Sequence, residues 1–219
     1  MELQKVLEAR QSIRRYKDSP VPQEHIRQMI DAARLAPSGK NLQNWHFIAI
    51  KNQQLKEKVV NAIGAQNSMM AGKIEEIDVE KAQRFRQFFK GATSFIAKAP
   101  LVLLVYTTTY VPSGYGEYQL LGADEEILRY LAGDANPAMQ SLGAAIENLN
   151  LKAVDLGYGT CWLTSPNYAA RQIEKVIKKE IGFEKDGYFF AALLTLGVAE
   201  ENQKSPGRKS IEEIYTYIE

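Results

Sequence analysis

Apolar positions recur along this chain with two periods, and the switches between them mark out its elements. Leu3, Val6 and Leu7 fall on one face of a first helix, which runs into RQSIRRY at 10–16. Asp18, Ser19 and Pro20 predict a turn. Pro22 opens a second helix in which Ile26, Met29, Ile30 and Ala33 return at helical spacing, and Pro37 with Gly39 ends it. HFIAIK at 46–51 predicts a strand, with a helix following over about 52–65. PLVLLVYTTT at 100–109 is a continuous aliphatic and β-branched run, as expected of a strand covered on both faces. Residues 137–156 predict a long helix whose wide apolar stripe includes Met139, Leu142, Ala145, Ile146, Leu149 and Ala153, capped by Gly157. GTCWL reads as a short buried strand, 168–181 as a surface helix, and YFFAALLTLGVA at 188–199 as the last strand, before a polar tail that closes on IEEIYTYI.

Two stretches fit no period cleanly. Residues 66–95 scatter Met69, Met70, Phe85, Phe88, Phe89 and Phe95 among charges, which suits a partly helical, mobile cover over a pocket as well as it suits plain core. Residues 111–133 read as irregular. No internal repeat and no linker divides the chain, so 1–219 is expected to be one α+β domain of three or four strands with helices in the majority.

Composition narrows the function classes. At 219 residues and 45% apolar content the chain can bury a substantial core. Lys plus Arg total 27 against 26 Asp plus Glu, so the net charge of +1 gives no footprint for nucleic acid or an anionic membrane, and any basic site must be local. No apolar run approaches bilayer length, and MELQKVLEAR is amphipathic rather than signal-like, which predicts a cytoplasmic protein. The lone Cys161 rules out an internal disulfide or a multi-thiolate metal site, and its apolar strand context reads as packing. His25 and His46 form no metal or Ser-His arrangement, the glycines at 64 and 72 are too far apart for a P-loop, and Gly157-Tyr158-Gly159 lies between a helix and a strand in the wrong order for a dinucleotide fingerprint. Trp45 and Trp162 are expected to be core anchors.

What remains is RQSIRRY. Arg10 and Arg14 offer two planar forks of donors around Ser12, a set that could meet a phosphate from several directions. Taken alone it reads more simply as a solvated basic face. With APSGKNLQNWHF at 36–47, IENLNLKAVDLGYGTCWL at 146–163 and the late Arg208, however, the chain resembles the FMN-dependent nitroreductase family over nearly its whole length. It departs from that pattern at Gln11, often basic or histidine, and at Asn44, commonly proline.

The resemblance implies a three-layer sandwich with a mainly antiparallel central sheet flanked by helices, forming an intertwined homodimer with FMN in two interface clefts. By motif, Arg10, Gln11, Ser12 and Arg14 would come from one subunit, Arg10 and Ser12 holding the phosphate and Arg14 lying towards the N1/C2=O edge of the flavin. Pro37, Ser38, Gly39 and Asn41 would come from the other subunit and back the flavin ring. Leu163 and Thr164 would supply the backbone facing N5 and O4, Arg208 would close on the phosphate, and Gln66 or Asn67 would read the pyrimidine edge. A guanidinium at N1/C2=O stabilises the reduced anion, which makes Arg14 the candidate catalytic group. NADH or NADPH and a nitroaromatic, quinone or related small acceptor would take turns at one flavin face. A reductive dehalogenase and a non-catalytic FMN-binding sensor remain the alternatives, with 66–95 and 110–135 shaping access. The alanines of the 137–156 helix suit either a dimer seam or a core helix, and the resemblance favours the seam.

Overall fold

The computed structural model describes residues 2–203 and 205–219. At its centre is one four-stranded sheet of β1 (Trp45–Ile50), β2 (Leu101–Thr108), β3 (Gly159–Leu163) and β4 (Tyr188–Gly197), in the order β1-β2-β4-β3 with every neighbouring pair antiparallel. Alternation along β2 shows why its sequence is apolar without a break. Leu101, Leu103 and Val105 enter a core closed by α2 (Gln23–Arg34) and α7 (Pro137–Asp155), while Val102, Leu104 and Tyr106 enter a second core closed by α3 (Gln53–Glu75) and α8 (Ala170–Ile181). The fold is thus the expected α+β three-layer sandwich. α2 contributes Met29 and Ala33, and α7 contributes Leu142, Ala145, Ile146 and Leu149. Each fully buried leucine, isoleucine or methionine among them is worth about 1.5–3 kcal/mol.

The two aperiodic stretches are more regular than their sequences suggest. α3 runs ten residues past its expected end and turns at Asp78, which caps α4 (Val79–Thr93) by accepting from Lys81 N. Ala71, Ala82 and Phe89 are buried between the pair, and Phe85 and Phe89 stack edgewise on Tyr168, so the inner face of 66–95 is core. Met69 and Phe88 face outward. Residues 111–133 hold two short helices, α5 (Tyr115–Leu120) and α6 (Glu125–Arg129), then a π-helical turn.

Two sequence expectations about packing are corrected. Leu3 and Leu7 of α1 (Leu3–Ala9) are exposed, only Val6 of that helix being buried. Trp162 is not a core anchor: its neighbours Cys161 and Leu163 fill the α8-side core, so alternation turns its ring outward, 39% exposed. Ala145 and Ala153 of α7 are fully buried within the chain, whereas Ala144 on the same helix is only partly covered. Asn44, where a proline was the family expectation, is buried at the start of β1; its Nδ2 donates to Thr107 Oγ1 (2.8 Å), whose hydroxyl donates to Asn44 O (2.6 Å).

Candidate active site

Residues 10–16 are stitched to the sheet rather than left on the surface. Ile13 N donates to Thr160 O (2.8 Å), Ser12 pairs with Thr160 as a parallel bridge, and Lys17 N donates to Val198 O (2.8 Å). Gly159 is glycine because the approach is so close: a Cβ there would stand 2.4 Å from Ile13 Cγ1. Tyr16 Oη donates to Ile13 O (2.5 Å) and lies 2.7 Å from Thr195 Oγ1, and burial raises its pKa. Gln203 completes the clamp, its Oε1 accepting from both Arg14 N and Arg15 N at 3.0 Å while its Nε2 donates to Arg15 O.

This clamp sets Arg10 and Ser12 on the wall of a cavity of about 290 Å³, with Thr160, Trp162 and Thr164 from β3 and its exit, and Glu147 and Asn150 from α7. Arg10 Nε stands 3.6 Å from Glu147 Oε1, and Glu147 Oε2 accepts from Asn150 Nδ2 at 3.0 Å. Asn150 Oδ1 is buried without a hydrogen-bond partner among the described residues. Beneath Ser12, burial pushes the Cys161 thiol up, opposed by Arg14 and by a hydrogen bond to Ser12. A thiol held protonated in this way is packing, not a nucleophile.

The loop over 37–43 is built differently. Lys40, Asn41 and Gln43 all have positive φ (51°, 53° and 47°), an uncommon cluster for non-glycine residues. Ser38 Oγ accepts from Gln43 N (2.9 Å), Gly39 N donates to Ser141 Oγ (3.3 Å), and Lys40 lies over the Tyr110 ring (5.7 Å). These contacts place the loop on α7 too, but on its other side. At about 100° per residue, Ser141, Ala145 and Asn148 share one face of α7, and Gly143, Glu147 and Asn150 the opposite one. Asn148 confirms the first face by donating to Ala32 O of α2 (3.2 Å), and Gly143, against the Trp162 ring, confirms the second.

Of the residues singled out in the sequence, Arg10, Ser12 and Thr164 line one cavity, with Leu163 buried just behind it. Gln11 is half-buried and Arg14 is exposed, its Nη1 3.4 Å from Ser12 O. Pro37, Ser38, Gly39 and Asn41 stand beyond α7. Gln66 and Asn67 lie on α3, where Asn67 is buried with its Nδ2 unpartnered among the described residues, and Arg208 lies on the exposed tail. Glu147, Asn150, Thr160 and Gln203 escaped sequence reading. The first two had a signal in their spacing, since i and i+3 polar residues interrupt the α7 stripe on one face. Among the described residues no group of acidic, histidine or cysteine side chains could hold a metal ion, and no helix is long and apolar enough to cross a membrane.

Comparison with known proteins decides the family. The model of the Nitroreductase family matches residues 7–198. The chain belongs to the Nitroreductase family. Within it, the chain is similar to a BluB-like flavoprotein from Clostridium difficile 630, with 51% identity, a TM-score of 0.96 and complete coverage of both chains. YfhC of Bacillus subtilis (strain 168), provisionally named an NAD(P)H nitroreductase, is 25% identical over 214 residues, 98% of this chain and 93% of that protein. The fold is also that of an iodotyrosine deiodinase solved with FMN and 3-iodo-L-tyrosine, at 20% identity and a TM-score of 0.67 over 98% of this chain and 100% of that one.

Proposed function

We propose that this nitroreductase-family protein is an FMN-dependent oxidoreductase that works as a homodimer, drawing electrons from NADH or NADPH and delivering them to a nitroaromatic, quinone or related small acceptor. The observation that carries the reading is the donor set pinned around the 290 Å³ cavity. Arg10 and Ser12 suit a terminal phosphate, and the Glu147 carboxylate that now faces Arg10 has the same charge sign as the group expected there. The unpartnered Asn150 Oδ1 is an acceptor suited to a ribityl hydroxyl.

FMN, when bound, supplies reversible two-electron chemistry that no protein side chain offers. Arg10 and Ser12 would hold its phosphate, and Gln11 would flank them. Arg14, exposed beside them, would bring positive charge towards the N1/C2=O edge, where it favours the reduced form. The backbone at Leu163 and Thr164 would restrain the ring at N5 and O4. Pro37, Ser38, Gly39 and Asn41 are separated from Arg10 of their own chain by the body of α7, about 10–12 Å across with side chains, so they serve the flavin of a second subunit more readily than their own. Arg208 and the Gln66/Asn67 pair, none of which lines the cavity within one chain, would serve the same arrangement. Tyr110, packed on Gly39, ties the 110–135 segment to that second half of the site and so to substrate access.

Spectroscopy and turnover test this directly. The purified protein should be yellow, release one FMN per chain on denaturation, and oxidise NADH or NADPH with nitroaromatic or quinone acceptors by ping-pong kinetics. Flavin without turnover would leave a binding protein only, and a colourless protein that ignores added FMN would overturn the reading.

A further inference from the structure

A second cavity, of about 340 Å³, lies on the far side of the sheet from Arg10. Its floor is Tyr106, part of the core shared with α3 and α8, whereas the Arg10 cavity opens on the α7 side. Tyr106 is 97% buried, and its hydroxyl has no hydrogen-bond partner among the described residues. Burial and the nearby Glu174 keep that hydroxyl protonated. An unpaired buried hydroxyl costs about 1–3 kcal/mol, which is tolerated where something else completes it.

The walls and rim state what would complete it. Phe183, edgewise on Tyr106 at 5.2 Å, and Tyr188 form an aromatic wall, with His46 stacked behind Phe183 at 4.7 Å. At the rim, Lys178 is paired with Glu184 (2.8 Å), Lys185 sits on the Tyr188 ring (3.8 Å), and Glu174 accepts from Phe190 N (2.8 Å). Arg171 and Lys175, one turn apart on α8, have no acidic partner among the described residues. Two free cations at the mouth, an aromatic wall and a neutral hydroxyl at the base are complementary to a flat molecule with an anion at one end and a polar atom at the other.

We propose that this cavity binds a small aromatic carboxylate, its ring against Phe183 and Tyr188, its carboxylate at Arg171 and Lys175, and a para hydroxyl or carbonyl at Tyr106. The site is separate from the flavin site and does not depend on the proposed redox activity.

Calorimetric titration of the protein as purified with 4-hydroxybenzoate and with benzoate, with flavin absorbance followed in parallel, tests this. One 4-hydroxybenzoate should bind per chain without altering the flavin spectrum, and more tightly than benzoate. Arg171→Gln with Lys175→Gln, both exposed changes, should weaken both ligands by about tenfold. Tyr106→Phe should erase the preference for the 4-hydroxy compound while leaving the melting temperature unchanged or higher. No binding, binding that perturbs only the flavin, or affinity indifferent to all three substitutions would overturn the proposal. So would a Tyr106→Phe protein of markedly lower melting temperature, since the hydroxyl would then be serving the fold.

Discussion

Residues 10–16 and residues 205–219 are made of the same kinds of side chain, arginine, serine, isoleucine and tyrosine among them, yet the chain treats them in opposite ways. The first segment is fixed from both sides. Its Ile13 is buried, its backbone pairs with β3, and Gln203 holds two of its N–H groups. In the tail, Ile211, Ile214, Tyr215, Tyr217 and Ile218 are all exposed, and the bonds are local ones such as Ile214 N to Ile211 O (3.0 Å) and Ser210 N to Glu213 Oε2 (2.9 Å). Leu3 and Leu7 are likewise exposed. Apolar side chains left out in such numbers mark an interaction surface. Under the proposed dimer, the half of the site around residues 10–16 is held within one chain, and the exposed tail would be covered by a second.

The largest expected effect comes from undoing the fixed half. Gly159→Val would drive a side chain into Ile13, which no rotamer avoids, because the clash begins at Cβ. Residues 10–16 should lift from β3, lowering stability by about 1–3 kcal/mol. FMN affinity should drop by more than about a hundredfold as the pinned donors are lost. Circular-dichroism melting and flavin titration read the two effects, and normal FMN binding by this variant would show that the clamp is not what positions the phosphate donors.

Deleting residues 209–219 challenges the other half. These residues cover no core within the chain, so the secondary structure and melting of the isolated fold should change little. Sedimentation should instead show a shift from dimer to monomer, with FMN lost in step. A truncated dimer that keeps its flavin would confine the tail to a decorative role.

Arg10→Ala is more selective than either. Losing one charge-assisted contact costs about 1.5–3 kcal/mol, so FMN should bind about ten- to a hundredfold more weakly while riboflavin, which lacks the phosphate, is unaffected. Equal loss for both flavins would move Arg10 away from the phosphate.

These contrasts also explain what the sequence could and could not disclose. β2 and α7 were legible because burial on both faces, or along one wide stripe, writes itself into residue type. The helical hairpin α3–α4 was not, because its outer face carries Met69 and Phe88 as openly as its inner face carries Phe89, which blurs the helical period. Trp162 misled for a related reason: a strand at the sheet edge can turn an aromatic ring outward to line a cavity, and hydrophobicity alone does not report direction. Arg10 and Ser12 were legible as a local cluster. Glu147 and Asn150 were not singled out, since only the packing of α7 beside residues 10–12 brings residues about 140 positions apart to one cavity.

Glu147 gives the smallest and most diagnostic effect. Its carboxylate divides between Arg10 and Asn150, so it holds the arginine in the direction that a phosphate would need while opposing the arrival of a second negative charge. Glu147→Gln separates the two roles. A glutamine oxygen can still accept from Asn150 Nδ2, which keeps the local geometry, but the charge facing Arg10 is gone. Arg10 is only partly buried, so the ion pair is worth no more than about 1 kcal/mol, and its removal should tighten FMN binding by at most about fivefold. Riboflavin affinity should stay level, because the opposition acts through the phosphate. Weaker FMN binding in Glu147→Gln would mean that orienting Arg10 outweighs competing for it, and that this corner of the fixed half is built around the carboxylate rather than in spite of it.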